Sequence, residues 1–398
     1  MTNNKDKKVL NVPNLRFPEF TEEWERCSLG HVTDFVKERI STDKLTLANY
    51  VSTENMKSDF GGINPAISIP NNTNVIHYKK GDVLLSNIRP YLRKVWAANS
   101  DGGCSTDVFV FRAKSISPSF LHYIMANDTF INYVMSGAKG VKMPRGDKEQ
   151  MLKYVFSIPR IEEQYKISRL LHLLDDRIAT QNKIIEKYES LIQAICDTLI
   201  ESGQPKVELS FNDFGEPYSG LSGKSAEDFG KGWPYITYMN VYQNQIIDIT
   251  DVGLVKINET EQQSVVRYGD ILFTLSSETP DEVGMGAVYL GDIYPLYLNS
   301  FCFGVHITDE SKIYPPFLAY YISTKSFRKA VFPLAQGSTR FNLQKSDFMK
   351  KKFLFPTVEE QNKIYSVLKA YSDKLSIEKN IANLLCEQKS YLLRQLFI

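Results

Sequence analysis

The chain has few cysteines, and no two of them stand close together. Cys27, Cys104, Cys196, Cys302 and Cys386 form no CxxC pair, which excludes a disulfide framework and zinc-knuckle spacing and fits a reducing compartment. Five histidines are equally scattered, so no metal site is expected. There is no run of eighteen apolar residues to span a bilayer. The opening Met1 to Lys8 has no apolar core of a secretory signal, so a cytoplasmic protein without membrane attachment is expected. An excess of one charge is also missing: 47 Lys and Arg face 46 Asp and Glu, for a net +1. A domain held on nucleic acid by charge alone is far more basic. DNA binding then requires that base contacts dominate or that a partner supplies phosphate contacts. What is present is 43% hydrophobic and 12% aromatic residues over 398 positions, enough for two or three domains with cores of their own.

Catalytic motifs are likewise missing. Gly220-Leu221-Ser222-Gly223-Lys224-Ser225 imitates a phosphate loop, but Tyr218 stands where that motif needs its first glycine. Tyr314-Pro315-Pro316-Phe317 resembles the Pro-Pro motif of amino-methyltransferases. Its Tyr lacks the amide geometry, however, and Ser117-Pro118-Ser119-Phe120 repeats the segment as a helix start. Asp281 with Glu310 and Lys312 mimics a metal-dependent nuclease and supplies the alternative reading, a stand-alone nuclease. No GxSxG elbow exists. No catalytic, cofactor or metal residue is expected in this chain.

The chain instead repeats itself. Phe156-Ser157-Ile158-Pro159-Arg160-Ile161-Glu162-Glu163-Gln164 returns as Phe353-Leu354-Phe355-Pro356-Thr357-Val358-Glu359-Glu360-Gln361, a constant 197 positions later. The same spacing joins Pro118 to Pro315, Tyr123 to Tyr320 and Gly140 to Gly337 without a gap. Tyr78-Lys79-Lys80-Gly81-Asp82-Val83-Leu84-Leu85 is echoed by Arg267-Tyr268-Gly269-Asp270-Ile271-Leu272-Phe273, here 188 positions on, so loops of different length intervene. Two similar units with a shared frame and divergent loops are expected. Strands are expected at Asn74–Tyr78, Asp82–Leu85 and Asp107–Arg112, and a helical patch at Phe120–Met135.

A long helix follows each proline, with two glutamates in its first turn. In the first, Leu171, Leu174, Ile178, Gln181, Ile185, Tyr188 and Ile192 step by three and four, and Gly203 with Pro205 is expected to stop it. In the second, Leu368, Tyr371, Leu375, Glu378, Leu385 and Leu392 do the same, with weaker seats at Ala382 and Lys389. A sustained 3.5-residue period is a coiled-coil seam, so the helices are expected to pair, with Gln181 and Glu378 fixing register. The expected segments are 1–158, 159–202, 203–355 and 356–398, with Ile200-Glu201-Ser202 lying beyond the seam.

Polar, basic and aromatic residues gather in two places in each unit. Ser86, Asn87, Arg89, Tyr91, Arg93 and Lys94 follow a strand, and Lys139, Lys142 and Arg145 surround Gly140. The second unit offers Gln336, Ser338, Thr339, Arg340 and Asn342 around Gly337, with Lys224, Ser276 and Ser277 as further candidates. Arg bridges guanine O6 and N7, and Asn bridges adenine N6 and N7, so these are the expected DNA contacts.

With the repeat, the proline-led Glu-Glu-Gln helices and the Gly-Asp strands, the chain resembles the specificity subunits of type I restriction-modification systems. Leu15-Arg16-Phe17-Pro18-Glu19-Phe20 with Trp24 adds to the likeness, and Leu209-Ser210-Phe211-Asn212-Asp213-Phe214 only faintly echoes that opening. The resemblance implies an α+β protein. Two mixed α/β target recognition domains are related by a pseudo-two-fold and separated by an antiparallel coiled coil. It implies a non-catalytic reader of a split, asymmetric sequence in double-stranded DNA. Two modification subunits carrying S-adenosylmethionine, and restriction subunits using ATP and Mg, are the implied partners.

Overall fold

Val83-Leu84-Leu85-Ser86 is apolar toward both faces, and the chain places it at the centre of a layered unit. The structure, a computed structural model, describes residues 11–202 and 205–398. The Met1–Lys8 opening and Gly203 lie outside the described residues. The chain divides into two compact units, Met1–Gln181 with Ile381–Ile398, and Asn182–Asn380.

In the first unit β1 (Glu25–Ser28), α1 (Leu29–Val32), β2 (Thr33–Phe35), β3 (Arg39–Ser41), β4 (Tyr50–Val51) and β5 (Asn74–Tyr78) come first. β6 (Val83–Ser86), β7 (Val95–Ala97), β8 (Gly102–Cys104) and β9 (Val108–Ala113) complete the main sheets. Helices α2 (Pro118–Met125), α3 (Asp128–Ser136) and α4 (Lys148–Leu152) precede β10 (Val155–Ile158). One antiparallel sheet runs β2-β9-β6-β7 and a second runs β3-β5-β8-β4, while β1 pairs with β10. Successive strand residues face opposite ways. Val83 and Leu85 therefore join Phe111, Phe120 and Phe130 under the helices, and Leu84 joins Tyr78, Cys104 and Val110 between the sheets. The expected helical patch is two helices, because the Asn127 side chain accepts the Thr129 amide (2.9 Å) and caps a new one.

After the long α5 (Ile161–Ser202), the second unit contains β11 (Lys206–Leu209), β12 (Gly215–Ser219), β13 (Phe229–Ile236), α6 (Tyr238–Gln243), β14 (Val252–Val255) and β15 (Ile271–Thr274). After them come β16 (Ser276–Ser277), β17 (Gly286–Val288), β18 (Tyr297–Leu298), β19 (Cys302–Ile307), α7 (Pro315–Tyr321) and α8 (Lys325–Val331). The unit closes with β20 (Ala335–Gln336), β21 (Phe341–Leu343), α9 (Lys345–Lys350) and β22 (Phe353–Pro356). Its sheet β12-β19-β15-β17 repeats β2-β9-β6-β7 strand for strand. The other sheet, β14-β13-β18, has three strands where the first unit has four, so the divergence is concentrated there. Leu209 pairs with Phe353 of β22 as Cys27 pairs with Phe156 of β10, so Ser210 and Phe211 stand where Ser28 and Leu29 do. Leu209–Phe214 therefore corresponds to the stretch from Cys27, and the comparison with Leu15–Phe20 is corrected.

Helix α5 (Ile161–Ser202) and α10 (Val358–Leu396) carry the expected seam. Leu171, Leu174, Ile178, Gln181, Ile185, Tyr188 and Ile192 are buried or half-buried, as are Leu368, Tyr371, Leu375, Glu378, Ala382, Leu385, Lys389 and Leu392. Asp175 pairs with Lys389 in the first unit (2.6 Å) and Glu189 with Lys379 in the second (2.7 Å). Partners descend as α5 advances, so the pair is antiparallel. Three of the seam residues do more than pair helices. Leu171 sits in the first unit's core, and Ile192 and Leu368 sit in the second's. Ile200 is in that core too, so Ile200-Glu201-Ser202 is not free spacer.

The repeated glutamine explains the repeated motif. Gln164 donates to the Pro159 carbonyl (2.9 Å) and accepts the Ser117 amide at the start of α2 (2.8 Å). Gln361 does the same with Pro356 and Tyr314 (2.8 and 2.7 Å). Each buried amide thus locks a long helix to its globule. Tyr123 adds a bond to Asp175 (2.8 Å) and Tyr320 one to Ser372 (3.0 Å). Gln164→Leu leaves a buried amide and a carbonyl unsatisfied and is expected to cost about 2–3 kcal/mol, read from the denaturant midpoint. A cost below about 0.5 kcal/mol would remove the clamp from the account of the fold.

Candidate nucleic-acid interface

Strand β6 is tethered at its start and its end. Gly81 adopts φ 91° over Pro118, and Asp82 accepts the Lys79 amide (2.8 Å) and a two-pronged ion pair from Arg112 (2.9 and 2.8 Å). Asp270 accepts the Arg267 amide in the same way (2.8 Å), but its partners are His306 (2.9 Å) and Tyr218 (2.8 Å). Burial first, then the Asp270 carboxylate, pushes the Tyr218 phenol well above its ordinary range. The frame is thus kept with different side chains.

Beyond β6 the chain meets the segment around Gly140. Ile88 bridges Arg145, and Arg145 in turn bridges Lys139. The Arg89 amide donates to the Pro144 carbonyl (2.8 Å). In the second unit Ser276 pairs with Asn342, and Asn342 with Gln336, in the sheet β16-β21-β20. These are the repeat-related positions, 88 with 276, 145 with 342 and 139 with 336. The structure therefore joins segments far apart in sequence into one surface hairpin, and does so twice. Gly140 (φ 96°) and Gly337 (φ 131°) make the turns, and a Cβ on Gly337 would lie 2.1 Å from the Arg340 carbonyl oxygen. Arg89 and Arg93 also hold positive φ, 51° and 55°, at about 1–3 kcal/mol each, a strain that often marks a working surface.

The candidate side chains fall into three groups. Arg89, Lys142, Gln336, Ser338, Thr339 and Asn342 are exposed, and Arg89 and Lys142 make no side-chain ion pair or hydrogen bond among the described residues. Tyr91 is half exposed, and Arg340 lies over the Phe301 ring at 5.8 Å. Others are engaged: Arg93 with Asp59 and Asp128 (3.3 and 3.2 Å), Lys94 with the Thr53 carbonyl (2.6 Å), Lys139 with Asp147 (2.7 Å) and Arg145 with Asp107 (3.1 Å). The Lys139 hydrogen bond is the first cause holding the Asp147 carboxyl below its usual range. The remaining five are buried in the free chain or held by other groups. Ser86 ends β6 and Asn87 follows it, Ser276 and Ser277 form β16, all four are buried, and Ser86 is bonded to the Ile88 carbonyl (3.0 Å). The Lys224 side chain is 4% exposed, held by the Lys256 carbonyl and Glu261.

In two of the imitations of catalytic motifs the lysine is held by other groups. Lys224 is committed as described, and Gly220 lies against the Asn299 carbonyl, so no phosphate loop forms. Lys312 is taken by Asp309 and the Asp213 carbonyl (both 2.9 Å). Among the described residues no group of three or more His, Cys, Asp or Glu is placed to hold a metal, and no helix is long and apolar enough to cross a membrane.

The family of the type I restriction modification DNA specificity domain matches residues 21–190 and again 219–387, one match for each copy of the frame. The chain belongs to that family. This specificity chain is 22% identical to the MjaVIII specificity subunit of Methanocaldococcus jannaschii, covering 94% of this chain and 91% of that one. Over 119 residues it is 30% identical to the EcoDI specificity subunit of Escherichia coli, 29% of this chain and 27% of that one. The solved type I S subunit from M. genitalium shares its fold at TM-score 0.57 and 16% identity, covering 97% and 99%. A chain from a study of assembly and conformational transition of the type I R-M system also scores 0.57, at 18% identity, covering 93% and 96%. The specificity chain is the DNA-reading component of such a system and is not its catalyst. Sequence reading missed Asp107 and Phe301, which face the hairpins from just before β9 and β19. Their separation matches neither spacing of the repeat, so only the folded pairing reveals their equivalence.

Proposed function

We propose that each unit of the specificity chain reads one half of a split, asymmetric sequence in double-stranded DNA through its paired hairpin. The observation that carries this is the hairpin itself, built twice from the same positions with different side chains. Such an arrangement suits two half-sites of different sequence on a common scaffold. The two modification subunits would bring S-adenosylmethionine and the restriction subunits ATP and Mg, and together they would enclose the DNA. That division of labour accommodates a net charge of +1, since partners supply phosphate contacts.

Arg89→Ala and Arg340→Ala test the assignment. Each is expected to weaken binding of the assembled complex to its target by about 1–3 kcal/mol and to relax one base position. Equal loss on target and random DNA would make the residue a phosphate contact, and no loss with either variant would take these two residues out of the interface.

A further inference from the structure

We infer that Asp107 is a specificity-determining residue, its carboxylate holding the Arg145 guanidinium in one orientation for a two-pronged contact with guanine, and that Phe301 orients Arg340 in the other unit. The inference rests on the reading that the hairpins face DNA.

The two positions are structurally the same. The Asn87 amide donates to the Asp107 carbonyl (2.8 Å), and the Leu275 amide donates to the Phe301 carbonyl (2.9 Å). Asn87 and Leu275 are themselves repeat partners, and Asp107 and Phe301 each immediately precede the strand that pairs with β6 or β15. From this one place each side chain meets an arginine of its own hairpin. Arg145 Nη1 lies 3.1 Å from Asp107 Oδ1, and the Arg340 guanidinium lies 5.8 Å from the Phe301 ring centre. The arginines stand at different hairpin positions, so the two units offer different donors.

Stability does not account for either contact. The Asp107 and Arg145 side chains are 36% and 54% exposed, and solvent screening leaves such a pair little net worth. Phe301 is 56% exposed, so its ring contributes little to the core. Orientation does account for both. With Nη1 on the carboxylate, Nε and Nη2 remain to donate together, the geometry that guanine O6 and N7 require. A carboxylate here is also repelled by phosphate, which disfavours docking out of register. In the second unit a flat aromatic face restrains a guanidinium plane without neutralising it.

The test uses the full chain assembled with its modification subunits, after the target has been read by sequencing methylated host DNA. Binding is titrated on the target, on each single-base-substituted copy and on random DNA. Asp107→Ala is expected to lower discrimination at one base pair of one half-site about tenfold, with an unchanged unfolding midpoint. Binding to random DNA should rise, since a repelled charge has gone. Asp107→Glu should restore part of the discrimination, and Phe301→Ala should act in the other half-site. If Arg145→Ala loses discrimination while Asp107→Ala keeps every ratio within about twofold, the orienting role is overturned and the hairpin reading stands. If the Arg89, Arg145 and Arg340 variants all bind and discriminate as the parent does, the hairpin reading falls and this inference falls with it.

Discussion

A seven-residue insertion made in both long helices at once is expected to lengthen the gap between the two half-sites by about three base pairs. Seven helical residues add about 10 Å, and duplex DNA rises about 3.4 Å per base pair. Seven is the necessary number because the seam repeats every 3.5 residues, so a heptad restores every buried seat. Both helices must be changed because both are anchored at each end. Leu171 and Leu396 belong to the first unit's core, and Ile192, Ile200 and Leu368 to the second's. The insertions belong between Gln181 and Asn182 and between Asn380 and Ile381, where neighbouring seats pair helix with helix and the chain passes from one unit to the other. A heptad in α5 alone sets a longer helix against a shorter partner and should disrupt the seam. The readout is the methylated motif in a host carrying the altered system. An unchanged gap with activity retained would show that the helices do not measure the DNA.

The pattern of the helices was legible because a coiled-coil seam is a local, periodic property. Every seat named from spacing lies on the less exposed stripe, including the charged seat Lys389, which is explained by Asp175 opposite it. The central strands were legible for a similar reason: a Gly-Asp turn followed by unbroken apolar residues has few other solutions. The paired hairpins were only half legible. Sequence located both arms of each hairpin, but the joining of residue 88 to 145, or 276 to 342, depends on contacts far apart in the chain. The burial of polar residues at strand ends was not legible, for a physical reason. Ser86 and Ser277 look like surface groups, yet local backbone carbonyls satisfy their hydroxyls and they are buried. The likeness of residues left the second unit's start open, because strand pairing with β22 is what places Leu209–Phe214.

Exchanging residues 1–158 for the equivalent part of a relative is expected to rewrite one half-site completely and leave the other intact. The first unit's hairpin lies wholly within that segment, and the second unit's hairpin wholly outside it. The exchange works only if the new globule still fits the old helices, and the structure names the contacts that must survive. Arg16 makes a two-pronged bond to Glu163 (both 2.8 Å), and a donor lacking it would strand a carboxylate that is 2% exposed. Tyr123 must reach Asp175, the Ser117 amide must meet Gln164, and Phe120 must pack against Phe397 at 5.2 Å between ring centres. A donor that keeps Arg16, Phe120 and Tyr123 should assemble and methylate a hybrid motif. A donor without them should assemble poorly, because breaking the Arg16–Glu163 pair from one side costs about 3–5 kcal/mol. Restoring Arg16 alone in such a donor should recover much of the assembly. Sequencing methylated DNA decides between the outcomes. A hybrid whose motif changed in both halves would show that the two units do not read DNA independently, and the repeated hairpins would then have to act as one surface.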